Sequence, residues 1–140
     1  MERRRSAARW LPFLFLLLSL SPALAEPLTL LGVDLGGRSA GAFQEFQLQQ
    51  SFMSLANLVN FSCDPRSVEL QLLPRPFTER ERKAAEARLL EAGWAVVEKD
   101  SLPPTHFWVL RQRLLGRETH TLLVESLVKG QAFLGACRLW

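Results

Sequence analysis

Tyrosine is absent from this chain of 140 residues, and cysteine and histidine occur twice each. The two histidines, His106 and His120, could each join a metal site with Glu125 or Glu118. Two ligands rarely hold zinc, which takes three or four, so no metal or cofactor is expected. The two cysteines, Cys63 and Cys137, form no C-x-x-C and have no neighbouring histidine, which argues against thiol catalysis. No G-x-S-x-G elbow is present, and no two acids are held facing each other as a glycosidase requires. Internal repeats, low-complexity stretches and linkers are also missing. After the first 25 residues no second long apolar run follows, so no integral membrane span is expected in the exported chain.

The N-terminal 25 residues read as an export signal. Arg3, Arg4, Arg5 and Arg9 form a basic region, Leu11 to Leu20 an apolar core, and Ala23-Leu24-Ala25 a small-residue cleavage site. The expected division is therefore a signal peptide, 1–25, and one small domain, 26–140. No cysteine stands directly after the cleavage site, where Glu26-Pro27 follows, which argues against lipid attachment there. The expected location is periplasmic or secreted.

Cleavage also changes the charge balance. The whole chain has 17 Lys and Arg against 14 Asp and Glu. The signal holds four Arg and one Glu, so 13 basic and 13 acidic side chains remain. Nucleic-acid binding calls for a basic stripe, and none is visible. A neutral chain has no general attraction to an anionic membrane surface. In an oxidising compartment the lone Cys63–Cys137 pair most simply forms one disulfide.

Local patterns give an α+β reading: a mostly antiparallel sheet of four or five strands with two packed helices. Leu28–Asp34 reads as a strand ending at Gly36-Gly37. From Ala40 to Asn60, spacings of three and four among Phe43, Phe46, Leu48, Phe52, Leu55, Leu58 and Val59 predict a helix, with Ser39 as its cap. Ser67–Leu73 alternates as a half-buried strand. Thr78-x-x-Glu81 is a capping box opening a helix over Glu79–Ala92, with Glu79–Lys83 and Arg82–Glu86 as i,i+4 pairs and Gly93 as its C′ residue. Trp94–Lys99 is a strand, and Leu102-Pro103-Pro104 a loop. Thr105–Leu114 and Arg117–Val128 form a hairpin about Leu115-Gly116. Its register sets Arg113 opposite Glu118, Arg111 opposite His120, Val109 opposite Leu122, Phe107 opposite Val124, Trp108 opposite Leu123 and His106 opposite Glu125. The last pair reads as a cross-strand charge pair, and the two histidines fall on opposite faces. Ala132–Leu139 closes the sheet after a Lys129-Gly130 turn. A helix over Glu118–Val128 is the competing reading, opposed by β-branched Thr119 and Thr121.

Three further features bear on function. Val33-Asp34-Leu35-Gly36-Gly37-Arg38 resembles the phosphate-loop opening of actin-like sugar kinases. Arg38 stands where that motif has Thr, and two lobes do not fit in residues 26–140, so the run reads as a strand-ending glycine turn. Trp94, Trp108 and Trp140 lie on or beside predicted strands. Exposed together they would form a stacking platform, a possible binding face; the preferred reading places them in the core. Asn60-Phe61-Ser62 is an N-x-S sequon that matters only in a eukaryotic secretory pathway. Ten Arg to three Lys after the signal favours a GC-rich bacterium, so the sequon reads as unused.

The run Val68–Arg113 resembles the sporulation-related repeat (SPOR) domain. The likeness is a strand (VELQLL), Pro76-Phe77, an Ala-rich helix closing at Leu90-Glu91-Ala92-Gly93-Trp94, and a strand with an aromatic start (HFWVLR). That resemblance implies a βαββαβ module binding bare peptidoglycan glycan, with Glu118–Val128 as its second helix. The leading expectation remains an exported, non-catalytic binding or accessory protein of the cell envelope, with a protein or envelope polymer as partner. A SPOR-like glycan binder and a small hydrolase without a local motif are the alternatives. A pocket setting His106 or His120 beside a serine or an acid would favour the hydrolase.

Overall fold

The structure, a computed structural model, describes residues 28–140. The expected signal peptide lies outside the described residues. The described chain runs α1 (Ala42–Leu58), a 3-10 turn (Pro65–Ser67), β1 (Glu69–Leu73), α2 (Glu79–Glu91), β2 (Ala95–Leu102), β3 (Thr105–Leu114), β4 (Arg117–Val128) and β5 (Gln131–Arg138). The five strands form one antiparallel sheet in the order β1-β5-β4-β3-β2.

Strand alternation assigns the helices to opposite faces of this sheet. Trp108, Leu110, Leu123 and Leu134 pack with Ala85 and Leu89 of α2. Their strand neighbours Phe107, Val109, Leu122 and Phe133 pack with Leu48, Phe52 and Ala56 of α1. The result is three layers, helix–sheet–helix, in which both faces of the central strands are covered while edge strand β2 stays exposed. This explains why β4 reads Leu-Leu-Val at its centre: both sides of that strand are dry.

The β3–β4 hairpin has the expected bounds and register. Leu115-Gly116 and Lys129-Gly130 both take positive φ at their two residues, the backbone of a type I′ turn, whose twist matches that of the strands it joins. The capping box is formed: the Glu81 amide donates to Thr78 Oγ1 at 3.2 Å, and the Thr78 amide donates to Glu81 Oε1 at 3.0 Å. Both helices end in Schellman turns. The Trp94 amide donates to Leu89 O around Gly93, and the Phe61 amide donates to Ala56 O around Asn60.

Several local expectations are corrected. Leu28–Asp34 is not a strand. Leu31 and Gly32 take positive φ, and Leu30 and Val33 exchange both backbone hydrogen bonds across this tight turn. The run is apolar because Leu30, Val33 and Leu35 enter the α2-side core from a loop. Ser39 does not cap α1: the N-cap is Gly41, with no side-chain bond. Ala92 is exposed, so the α2 stripe is Ala85 and Leu89. The segment Glu118–Val128 that a SPOR-like module needs as its second helix is strand β4.

Candidate functional site

Cys63 and Cys137 are joined, with their Cα atoms 5.6 Å apart. The bridge fastens the chain leaving α1 to the last strand. Around it, the buried Asp64 carboxylate caps the 3-10 turn. Its Oδ1 accepts from the Arg66 amide at 3.1 Å, and Arg138 Nη2 lies 3.5 Å from its Oδ2. The Arg66 amide, reinforced by the Arg66 and Arg138 guanidiniums, holds the Asp64 carboxyl below its ordinary value. The Trp140 indole donates to Cys63 O at 3.1 Å while most of its ring stays exposed.

The three tryptophans do not share a surface. Trp94 and Trp108 are buried in the α2-side core. Trp108 Nε1 donates to Glu86 Oε1 at 2.8 Å beneath α2, which is how a buried indole is satisfied. Trp140 stands alone at the disulfide corner and is exposed, against the preferred core reading, while the alternative of a shared platform of Trp94, Trp108 and Trp140 is not assembled.

His106 and His120 lie on opposite faces, as the register required. The His106–Glu125 charge pair is not formed, although the two residues are opposite each other. His106 Nδ1 instead shares a 2.7 Å hydrogen bond with Ser101 Oγ on β2. Glu125 is taken by α2: its Oε1 accepts from Arg82 Nε at 2.8 Å, and its Oε2 accepts from the Phe77 amide at 3.2 Å. The helical pairs give way to the same competition. Arg82 reaches Glu125 and Glu79, while Glu86 reaches Lys99 on β2. Glu79–Lys83 and Arg82–Glu86 are not among the ion pairs of the described residues.

Two concavities remain as candidate sites. The first is a polar cleft of about 330 Å³ between the start of α2 and the β2–β3 corner. Arg82, Lys83, Glu86, Lys99, Ser101 and His106 line it. It brings one histidine beside one serine, but no carboxylate among the described residues bonds the other His106 ring nitrogen. No cluster of three or more potential metal ligands occurs among the described residues.

The second is a broad groove of about 590 Å³ along one flank of α1. Ser51, Ser54, Leu55 and Leu58 form one wall; Pro104, Leu127 and Val128 form the other. Its floor carries Thr105 and Ser126, whose hydroxyls share a 2.7 Å hydrogen bond. No ionisable side chain lines it. Leu58 is 66% exposed on its rim. Leu58 belongs to the helical pattern of the sequence, but only the approach of α1 to the β2–β3 corner sets it on one surface with Leu127.

Fold and site together define a disulfide-stapled, three-layer α+β domain with an uncharged groove beside its first helix. No family model matches the chain, and neither a curated protein nor a solved structure matches it significantly.

Proposed function

We propose that the chain is an exported, non-catalytic binding or accessory protein of the cell envelope, periplasmic or secreted. Its partner on this reading is an uncharged protein segment held in the groove beside α1. The observation that carries the reading is the groove itself: Leu55, Leu58, Pro104, Leu127 and Val128 interspersed with Gln50, Ser51 and Ser54, and no ionisable lining residue. Such a lining leaves a charged ligand without a counter-charge and desolvates an apolar one at little cost. The disulfide is compatible with export, and no helix among the described residues is long and apolar enough to cross a membrane. The glycan-binding alternative would use the sheet face bearing Trp108, which α2 covers.

The test is photo-crosslinking in the native envelope from a probe at Ser54. The expected result is a discrete protein adduct that Leu127→Asp abolishes, with no adduct from a probe at exposed Leu115. Co-sedimentation with isolated peptidoglycan sacculi, unaffected by Leu127→Asp, would overturn the reading in favour of a glycan partner.

A second reading, a small hydrolase, is favoured by the 2.7 Å contact of Ser101 and His106 in the polar cleft. A histidine acting as base on a serine needs this proximity. Labelling by a fluorophosphonate that disappears in both Ser101→Ala and His106→Ala would support it. Absence of labelling in the native chain would remove it.

A further inference from the structure

A further concavity lies beside the second helix and shares no residue with the groove or the polar cleft. It is a hollow of about 180 Å³ between α2, the end of β1 and the loop at Leu35-Gly36. The sequence of α2 leaves it open. Glu81, Ala84, Ala85 and Arg88 stand at i, i+3, i+4 and i+7 and share one flank of the helix. The two middle positions are alanines, too short to fill the space against Leu35, Leu73 and Phe77.

The two ends of the hollow differ in charge. At the start of α2, Arg75 is answered by Glu81: Arg75 Nη1 donates to Glu81 Oε1 at 2.6 Å. Two turns on, about 10 Å along the helix, Arg88 Nη1 donates to the Asp34 carbonyl at 2.9 Å. The glycine turn sets that carbonyl: the Gly36 amide donates to Asp34 Oδ1 at 2.9 Å, and Gly36 takes a φ of 83°. The Asp34-Leu35-Gly36 run thus holds one nitrogen of a guanidinium. Among the described residues no ion pair includes Arg88, and its Nε and Nη2 have no hydrogen-bond partner.

We infer that this hollow binds a small apolar monocarboxylate, with the carboxylate on Arg88 and the hydrocarbon part against Leu35, Leu73 and Phe77. Chemistry, charge and volume each select that ligand. Nε and Nη2 form the fork that a carboxylate grips with both oxygens. One uncompensated cation matches one negative charge, whereas a phosphate dianion would meet Glu81 and an apolar floor. The volume lies below the roughly 300 Å³ at which pockets for drug-sized ligands begin, so the hydrocarbon part has the size of one side chain. A free acid and the C-terminal residue of a peptide both present this chemistry.

The test is a proton–nitrogen NMR titration of the exported chain, produced with its own leader, with isocaproate, which is leucine without its amino group. Shifts are expected at the Gly36, Phe77 and Arg88 amides and at the Arg88 Nε–H, saturating in the millimolar range for so small a ligand. Isocaproamide, the same body without the charge, should bind at least about tenfold more weakly. Arg88→Gln should cost the acid the same factor; Arg88 is exposed, so the variant folds. Ala84→Leu, also at an exposed position, should fill the hollow and abolish binding. N-acetylleucine carries the same side chain on a peptide terminus: binding tighter than that of isocaproate assigns the ligand to a C-terminus, weaker binding to a free acid. An acid that shifts none of these signals overturns the inference. So does an amide that binds equally, inorganic phosphate that shifts the same set as strongly, or unchanged affinity in Arg88→Gln. None of these failures touches the groove reading, which is tested at Ser54 and Leu127.

Discussion

Gly135 on β5 lies directly under the ring of Phe52 on α1: a Cβ built at Gly135 would sit 2.5 Å from Phe52 Cδ2. Phe52 is fully buried and rests on the sheet where β5 has no side chain to offer. Gly135→Ala should therefore overpack the α1-side core. The expected cost is about 1–3 kcal/mol, read from urea denaturation. Phe52→Leu should recover part of it in the double mutant, because the aromatic edge is what the methyl group meets. An unchanged midpoint for Gly135→Ala would mean that α1 can shift away from the sheet freely.

Glu125 is 1% exposed, and its carboxylate is held by Arg82 and the Phe77 amide. Replacing one member of a buried pair strands the other. Glu125→Leu should destabilise by about 3–5 kcal/mol. Arg82→Met in the same background should return most of that loss, and a double-mutant cycle measures the coupling. Additive single effects would show that the two charges are solvated separately.

The Cys63–Cys137 bridge spans 74 positions of sequence. Closing so long a loop restricts the unfolded chain and stabilises by about 4 kcal/mol in the chain-entropy account. Cys63→Ala with Cys137→Ala, or reduction under conditions that open the buried bridge, should lower the melting temperature accordingly. Equal melting with and without the bridge would remove its stabilising role.

The Glu81 carboxyl is lowered from 4.5 to about 2, chiefly by its hydrogen bond from the Thr78 amide and then by Arg75. The folded value is the lower one, so the unfolded chain takes up the proton first as pH falls. The stability contributed by ionised Glu81 is therefore whole above the ordinary value and is lost as pH falls from 4.5 toward about 2. Denaturation midpoints of the native chain and Glu81→Gln, compared across this window, should converge toward the acid end. A gap that stays constant would mean that the α2 cap does not depend on that charge.

The β3–β4 hairpin was legible because its evidence is local. Leu115-Gly116 supports a tight turn, and a one-residue slip would put Leu122 and Val124 on the opposite face from Val109, so the register from Arg113–Glu118 to His106–Glu125 follows. The capping box and Gly93 are local in the same way: their bonds close within a few residues. The disulfide was legible from scarcity, since two cysteines allow one pairing.

Where local and distant partners competed, the distant ones prevailed. Arg82 faces Glu86 on an isolated helix, but in the fold the carboxylate of Glu125 is buried and needs a cation, while Glu86 is needed by Trp108 and Lys99. His106 had two cross-strand neighbours and bonded Ser101, because α2 had already claimed Glu125. The apolar run at Leu30–Leu35 could be placed in the core by its composition, but Leu31-Gly32 turns it back before it can extend into a strand. Sequence alone thus determined the elements whose hydrogen bonds close nearby: the hairpin, the capped helix and the α+β class. Tertiary structure alone decided that α1 and α2 take opposite faces, that Trp94 and Trp108 are sealed while Trp140 is not, and that Leu58 meets Leu127 across an uncharged groove. These depend on which surfaces the sheet leaves to be covered, and that is set only when all five strands are paired.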